Sequence, residues 1–300
     1  MTLSVILPNY NHAHFLDAAL SAIFSQTKCP DEVLIIDDAS TDDSLKVIND
    51  WMQKHSEIKL LQNKINQGPI ESVNLGIKKA SSEFLAFCSA DDKTLPNFFE
   101  MGVNFLQKHP YIGLCTGKNS HFHENAPDTF IPLQTPFGNT PKMFTKETIA
   151  KVFKKTTFFI HTNCTIYRRK HVLEMDGHLP KLKSISDWYM TVEIALKHGV
   201  GVIPEVFGAF RICENSYSNS LKSSRHQDEM FHALMKELKK KNLEKVFKSS
   251  GLLAHVGISL VLFVAKHSEY RSFFLKAFAK KCHFHLKKLI QRKLSRKVAT

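Results

Sequence analysis

Short apolar runs alternate with amphipathic stretches over the first ninety residues of the chain. Leu3-Ser4-Val5-Ile6-Leu7, Val33-Leu34-Ile35-Ile36, Ile58 to Leu61 and Phe84-Leu85-Ala86-Phe87-Cys88 are too short for helices and read as strands. The unbroken apolar character of the second and fourth predicts strands buried on both faces of a parallel sheet. Between the runs, Phe15, Ala19, Ala22 and Ile23 fall on one helical face, as do Leu45, Ile48 and Met52, and then Ile70, Val73 and Ile77. Ser40 or Thr41 is positioned to cap the second helix. Pro69, after the turn Asn66-Gln67-Gly68, is positioned to open the third, and Pro96 a fourth. Strand and helix in strict alternation predict a doubly wound α/β sheet.

The pattern weakens from Tyr111 to Lys155, where Pro127, Pro132, Pro136, Gly138 and Pro141 break every period, and a long irregular excursion is expected there. Periodicity returns at Asn163 to Arg169 and again in a helix running from Asp187 through Val192 and Leu196 to a Gly199 cap. Gly251 to Ala265 is almost continuously apolar, but its fifteen residues fall short of the roughly 20 that cross a bilayer. A packed or half-inserted helix is expected. Beyond it Phe274, Phe278, Cys282, Leu286, Ile290 and Leu294 recur every fourth residue, with Lys276, Lys280, Lys281, Lys287 and Lys288 on other faces. That is the pattern of a helix lying in a membrane interface with its cations toward anionic headgroups.

Charge separates the chain into two parts. The net charge is +13, yet residues 221–300 hold 19 Lys and Arg against 5 Asp and Glu, leaving 22 against 23 for residues 1–220. A near-neutral catalytic domain over 1–220 and a basic helical tail over 221–300 follow, with the boundary near Asn215 to Ser224. The six cysteines show no short repeat spacing and read as buried free thiols of a reducing compartment. The first residues enter a strand without a basic or long apolar segment, so a cytoplasmic protein, peripheral on the inner face of the membrane, is expected. No nucleic-acid recognition motif is evident. The His-x-His pairs His12/His14, His121/His123 and His283/His285 lack neighbouring cysteines or carboxylates and are read as coincidence in a chain of 16 histidines.

The acidic residues carry the chemistry. Asp37-Asp38 and Asp91-Asp92 each directly follow an apolar strand, and ligands of open α/β sheets bind beyond the carboxyl ends of the strands. Both pairs should therefore face one crevice. Gathered carboxylates repel one another unless a cation lies between them, and a divalent metal carrying a nucleotide diphosphate answers that requirement. Asp37, Asp42 and Asp43 read equally well as functional acids and as helix caps or solvated turn charges.

In order and spacing, Val5-Ile6-Leu7-Pro8-Asn9-Tyr10-Asn11, Ile36-Asp37-Asp38-Ala39-Ser40-Thr41-Asp42, Asn66-Gln67-Gly68, Asn74-Leu75-Gly76 and Ser89-Ala90-Asp91-Asp92 resemble the family 2 inverting glycosyltransferases of GT-A fold. The resemblance covers roughly residues 3–215. It implies a mostly parallel central sheet flanked by helices. It puts Pro8, Tyr10, Asn11, Asn66 and Gly68 around the nucleotide, with Asp38 accepting from the N–H of a uracil or thymine base. Asp91 and Asp92 fall in the acidic motif that holds ribose and a Mn²⁺ or Mg²⁺ on the diphosphate. Asp187 matches the general base, favoured in its ionised form at a helix N-terminus. Trp188 is a candidate to stack on a sugar, and Arg211, with Ser216 and Ser220, a candidate loop over the donor.

Three positions depart from the family pattern: Ser89 stands for an aspartate, Ser186 for a glutamate and Val73 for an arginine. The expected activity is metal-dependent, inverting transfer of a sugar from a UDP-sugar or related donor to a hydroxyl of a glycan or lipid-linked acceptor. The alternative is a catalytically silent membrane scaffold on the same fold. A sugar nucleotidylyltransferase is disfavoured, because Pro8-Asn9-Tyr10-Asn11-His12 follows the first strand in place of a glycine-rich, Arg-bearing loop.

Overall fold

The computed structural model describes residues 1–133, 137–156, 159–212, 224–256, 258–273, 275, 277–280, 282 and 283. The chain separates into two compact units, one of residues 1–149 and 159–216, the other of residues 150–158 and 217–300.

The first unit is built on ten strands: β1 Leu3–Asn9, β2 Glu32–Asp37, β3 Ile58–Gln62, β4 Phe84–Phe87, β5 Lys93–Thr94, β6 Leu114–His123, β7 Ala126–Pro132, β8 Lys142–Phe144, β9 Thr165–Arg168 and β10 Val200–Ile212. Their order is β3-β2-β1-β4-β9-β6-β10-β5, with β7 on β6 and β8 on β10. The four strands expected from the apolar runs pair in parallel, with Asn9 opposite Asp37 and Ile6 opposite Phe87. Beyond β4 the sheet is mixed: β9 lies antiparallel to both β4 and β6, while β10 runs parallel to β6. The stretch expected to be irregular thus supplies a ten-residue central strand, β6. Its prolines include Pro132, which ends β7 opposite Ser120.

The described helices up to residue 212 are α1 Ala13–Phe24, α2 Ser44–Met52, α3 Pro69–Lys79, α4 Phe98–Lys108, α5 Ile149–Lys155, α6 Arg169–Glu174 and α7 Ser186–His198, of which α5 belongs, apart from Ile149, to the second unit. Leu16, Ala19, Leu20 and Ile23 form the buried stripe of α1. In α2 only part of the expected face is inward: Ile48 is fully buried, whereas Met52 is exposed. The cap of α2 also differs from expectation. Asp42 Oδ1 accepts from the Ser44 N–H at 3.0 Å and Oδ2 from the Ala13 N–H at 2.9 Å, so one carboxylate anchors the start of two helices. Pro69 opens α3 as expected, and Gly76 lets that helix lie directly on the sheet, since a Cβ there would meet Ile6 Cγ2 at 2.6 Å. Helix α7 ends at Gly199.

In the second unit, helix Ser224–Lys240 buries Phe231, Leu234, Met235 and Leu238, and helix Ile258–Lys266 buries Leu260, Phe263 and Val264. Within the apolar stretch 251–265, Leu252, Leu253 and Ala254 are also buried while Leu262 is 51% exposed, and no described helix is long and apolar enough to cross a membrane. Lys280, expected on a solvent-facing cationic surface, is instead buried and donates to the carbonyls of Ser250 (2.9 Å) and Phe153. Burial pushes its ammonium down to about 8. Phe278 and Leu275 are exposed, at 42% and 79%. Phe274, Lys276, Lys281, Leu286, Lys287, Lys288, Ile290 and Leu294 lie outside the described residues. Cys88, Cys115 and Cys164 are buried free thiols, while Cys29 and Cys282 are exposed, contrary to expectation.

Candidate functional site

Strands β1, β2 and β4 deliver their carboxyl ends to one edge of the sheet, and two polar clusters form there. The first ties β1 to β2. Asn9 Nδ2 donates to Asp37 Oδ1 (2.9 Å) and Ser40 Oγ (3.1 Å), and Asn11, with φ +55°, accepts from the Thr41 N–H at 2.7 Å. Asp37 Oδ2 takes the Ser40 N–H. Asp38 is 3% exposed and accepts three hydrogen bonds: from Asn63 Nδ2 at 2.7 Å, the Gln67 N–H at 2.9 Å and the Gly68 N–H at 2.7 Å. It holds the Asn66-Gln67-Gly68 turn over the end of β2. Asn66 Oδ1 takes the Gly68 N–H as well, at 3.0 Å. Pro8 is half-buried and Tyr10 is 44% exposed beside this cluster.

The second cluster is built around Asp92, whose two oxygens are both engaged. Oδ1 accepts from the Arg211 N–H at 3.0 Å, and Oδ2 from Asn163 Nδ2 at 3.1 Å. Burial first, and the charge of Asp91 second, push the Asp92 carboxyl up to about 7 against the opposing pull of Arg211 and Asn163. Arg211 lies at the end of β10 rather than in a free loop. Its Nε donates to the Asp91 carbonyl at 3.1 Å, and its guanidinium packs 4.1 Å from the Phe15 ring and 4.8 Å from that of Phe122. Ser216 and Ser220 lie outside the described residues.

Asp187 occupies the first turn of α7, and its Oδ2 accepts from Thr162 Oγ1 at 3.0 Å. Thr162 and Asn163 are consecutive residues of one 3₁₀ turn, Thr162–Cys164, that leads into β9. Asp92 and Asp187 therefore flank a single turn. Its Asn163 is itself held by Asn119 Nδ2 at 3.1 Å. Two imidazoles lie within electrostatic reach of Asp187: burial pushes both His161 and His178 below the ordinary histidine range, against the pull of the carboxylate. Asn74 clamps the backbone of His178 at 2.7 and 2.8 Å, which gives the Asn74-Leu75-Gly76 motif a second physical task beside the Gly76 contact. Trp188 follows Asp187 and is half-buried, and the Oγ of Ser186 is buried without a hydrogen-bond partner among the described residues.

The structure thus gathers Asp91, Asp92, Arg211 and Asp187 around one turn, and Pro8, Tyr10, Asn11, Asp38, Asn66 and Gly68 at the neighbouring strand ends. Thr162, Asn163, His161 and His178 carry no sequence signal beyond being polar residues next to an apolar strand or a Gly turn.

The Glycosyl transferase family 2 model matches residues 4–175, and the chain belongs to that family. A Haemophilus influenzae protein described as an uncharacterized glycosyltransferase is 34% identical over 108 residues, 36% of this chain and 43% of its own length. A second H. influenzae protein of the same description is 25% identical over 292 residues, 95% of this chain and 86% of its own. Among solved structures, S. aureus TarS (residues 1–349) in complex with UDP-GlcNAc superposes with a TM-score of 0.62 at 18% identity, covering 93% of this chain and 73% of that one. Mannosyltransferase PcManGT from Pyrobaculum calidifontis, in complex with GDP-Man and Mn²⁺, gives 0.58 at 15% identity, covering 93% and 86%. The fold is GT-A, with a central sheet flanked by helices.

Proposed function

We propose that the chain is an inverting glycosyltransferase that moves one sugar from a UDP-sugar to a hydroxyl of a glycan or lipid-linked acceptor, with Asp187 as general base. The observation that carries this reading is the shared turn: Thr162 holds Asp187 and Asn163 holds Asp92, at the sheet edge where GT-A ligands bind.

Asp187 is suited to the task. Thr162 occupies Oδ2 and so fixes the carboxylate's orientation, which leaves Oδ1 to take the proton of an attacking hydroxyl as it bonds to the anomeric carbon. Burial pushes His161 and His178 beside Asp187 below the ordinary histidine range, against the pull of the carboxylate.

Asp91 and Asp92 are the residues that would hold a Mn²⁺ or Mg²⁺. They offer only hard oxygen donors, and burial first and the Asp91 charge second raise the Asp92 carboxyl, two costs that a cation bound there would offset. Such an ion, when bound, supplies charge neutralisation for the departing diphosphate. Arg211, fixed across the same pair, adds a guanidinium beside that path.

At the neighbouring cluster, an ionised carboxylate offers about four acceptor positions. Three on Asp38 are taken, and the fourth is assigned to a base N–H such as that of uracil. Tyr10 is exposed enough to stack on the base. The basic second unit is assigned to an anionic membrane surface, supported by the exposed Leu275 and Phe278. The testing experiment is turnover of a UDP-sugar panel with and without Mn²⁺, with the anomeric configuration of the product read by NMR. Retention of configuration, or no turnover with any UDP-sugar, contradicts the assignment.

A further inference from the structure

A second cluster of metal-ligating side chains lies in the first unit at the other end of the elements that build the site. Asp187 lies in the first turn of helix α7, which ends at His198, eleven residues and therefore about 16 Å further along. Strand β9 leaves the Thr162–Cys164 turn and runs into α6, which carries His171 and Glu174. The far ends of both elements meet. His198 Nε2 lies 2.9 Å from Glu174 Oε2, and His171 Nδ1 lies 3.2 Å from the same oxygen. The two imidazole rings are stacked, with centroids 3.5 Å apart.

We propose that His171, Glu174 and His198 form a binding site for a transition-metal dication of the zinc type, separate from the catalytic acids. The three ligand atoms all lie within 4.8 Å of one another. An ion at zinc–nitrogen and zinc–oxygen distances of about 2.0–2.2 Å sets its tetrahedral ligands about 3.3 Å apart; the two pairs that share Glu174 Oε2 are at 2.9 and 3.2 Å, and the stacked imidazoles rotate apart to aim both nitrogens at the ion. Two imidazoles and one carboxylate form a donor set suited to zinc, whereas Mn²⁺ and Mg²⁺ prefer all-oxygen sites.

The ligands are also held in place. His171 and Glu174 are three apart on one helical face. His198 is seated against Gly113, whose N–H donates to the His198 carbonyl at 3.0 Å and whose Cβ, if present, would meet His198 Cβ at 2.6 Å. The side chains of His171 and His198 are 11% and 22% exposed, and that of Glu174 is 46%, so an ion has an entry path and room for a water as fourth ligand. Lys170 and Lys197 stand close enough to be felt by His198 and oppose a further positive charge. Affinity below that of closed structural sites is therefore expected. The i, i+2 histidine pairs of the sequence do not form such a cluster among the described residues.

The test is titration of the full-length protein with Zn²⁺ and Co²⁺ by calorimetry and Co²⁺ absorption. Wild type, Glu174→Gln, His198→Ala and a His121→Ala control are compared. Glu174 is exposed, so Glu174→Gln keeps the test valid should His198→Ala fold poorly. The expected result is one saturable equivalent in wild type and in His121→Ala, weakened about tenfold or more in both Glu174→Gln and His198→Ala. A Zn²⁺-dependent rise in Tm should be lost with it. Absence of saturable binding in wild type, or unchanged affinity in either ligand variant, overturns the proposal.

Discussion

Asp92 and Asp187 accept hydrogen bonds from adjacent residues of one turn, Asn163 at 3.1 Å and Thr162 at 3.0 Å. Two carboxylates far apart in the sequence thereby acquire a common reference. The turn itself is fixed from behind by Asn119 and by the entry into β9. Positional precision at the site thus rests on residues that need not touch substrate.

Thr162→Val removes the hydroxyl that orients Asp187 while keeping the side chain's volume. Turnover is expected to fall about tenfold with donor affinity unchanged, since misplacing a reacting group affects the chemical step more than ground-state binding. Steady-state kinetics with calorimetric donor binding checks this. Equal losses in both would indicate that Thr162 supports the donor instead.

Gly68 has φ +89° and ψ 162°, a region closed to side-chain-bearing residues, although a Cβ there would meet nothing within 4 Å. Gly68→Ala is therefore expected to cost about 1–3 kcal/mol from backbone strain alone. The same strain should pull the Gly68 N–H off Asp38 and weaken UDP binding. Chemical denaturation and UDP calorimetry on the variant report the two effects separately.

Glu32 is buried at the start of β2 and accepts from Ser4, Lys59 and Ser81. Burial raises its pKa, but the Lys59, Ser4 and Ser81 hydrogen bonds together lower it below the ordinary glutamate value. A depressed folded-state pKa gives stability that is present above the unfolded value of about 4.3 and is lost as pH falls through the folded value. Glu32→Gln should accordingly cost about 1–3 kcal/mol at pH 7, and the gap to wild type should narrow below about pH 4. Denaturation midpoints across pH 3 to 7 measure it. A constant gap would contradict the account.

Membrane attachment is better tested by point substitution than by truncation. Residues 150–158 fold with the C-terminal segment, so removing residues 221–300 would strip the surroundings of Phe153. Leu275→Asp with Phe278→Asp is expected to abolish flotation with phosphatidylserine-containing liposomes and leave Tm nearly unchanged, because both side chains are exposed. Undiminished flotation would exclude this face as the anchor.

The apolar runs made β1, β2 and β4 legible, because central parallel strands have little but apolar residues to present, and β3, at the sheet edge, was legible through Ile58, Leu60 and Leu61. The rest of the sheet was hidden for identifiable reasons. In β6, Thr116, Asn119 and Ser120 are buried yet polar, satisfied by Thr165, Asn163 and the Gly208 carbonyl, so hydropathy disguised a central strand as a loop. In β10, register shifts between Val202 and Val206 and between Val206 and Gly208 destroy the period of two. The pairs Asp37-Asp38 and Asp91-Asp92 stood out through their position after strands, whereas Asp187, in the first turn of a helix, was singled out by the family resemblance. Thr162 and Asn163 did not, because their importance comes entirely from what the fold places opposite them. The His171–Glu174–His198 cluster escaped for the same reason, its third member being contributed by another helix.

The most direct measurement compares wild type and Asp187→Asn in Mn²⁺-dependent turnover of a UDP-sugar and in calorimetric binding of the same donor. A general base contributes about 10²- to 10⁴-fold to turnover, so the account predicts a loss of that size with donor affinity within about twofold of wild type. Turnover that survives in Asp187→Asn, or a loss matched by an equal loss of donor binding, would contradict it.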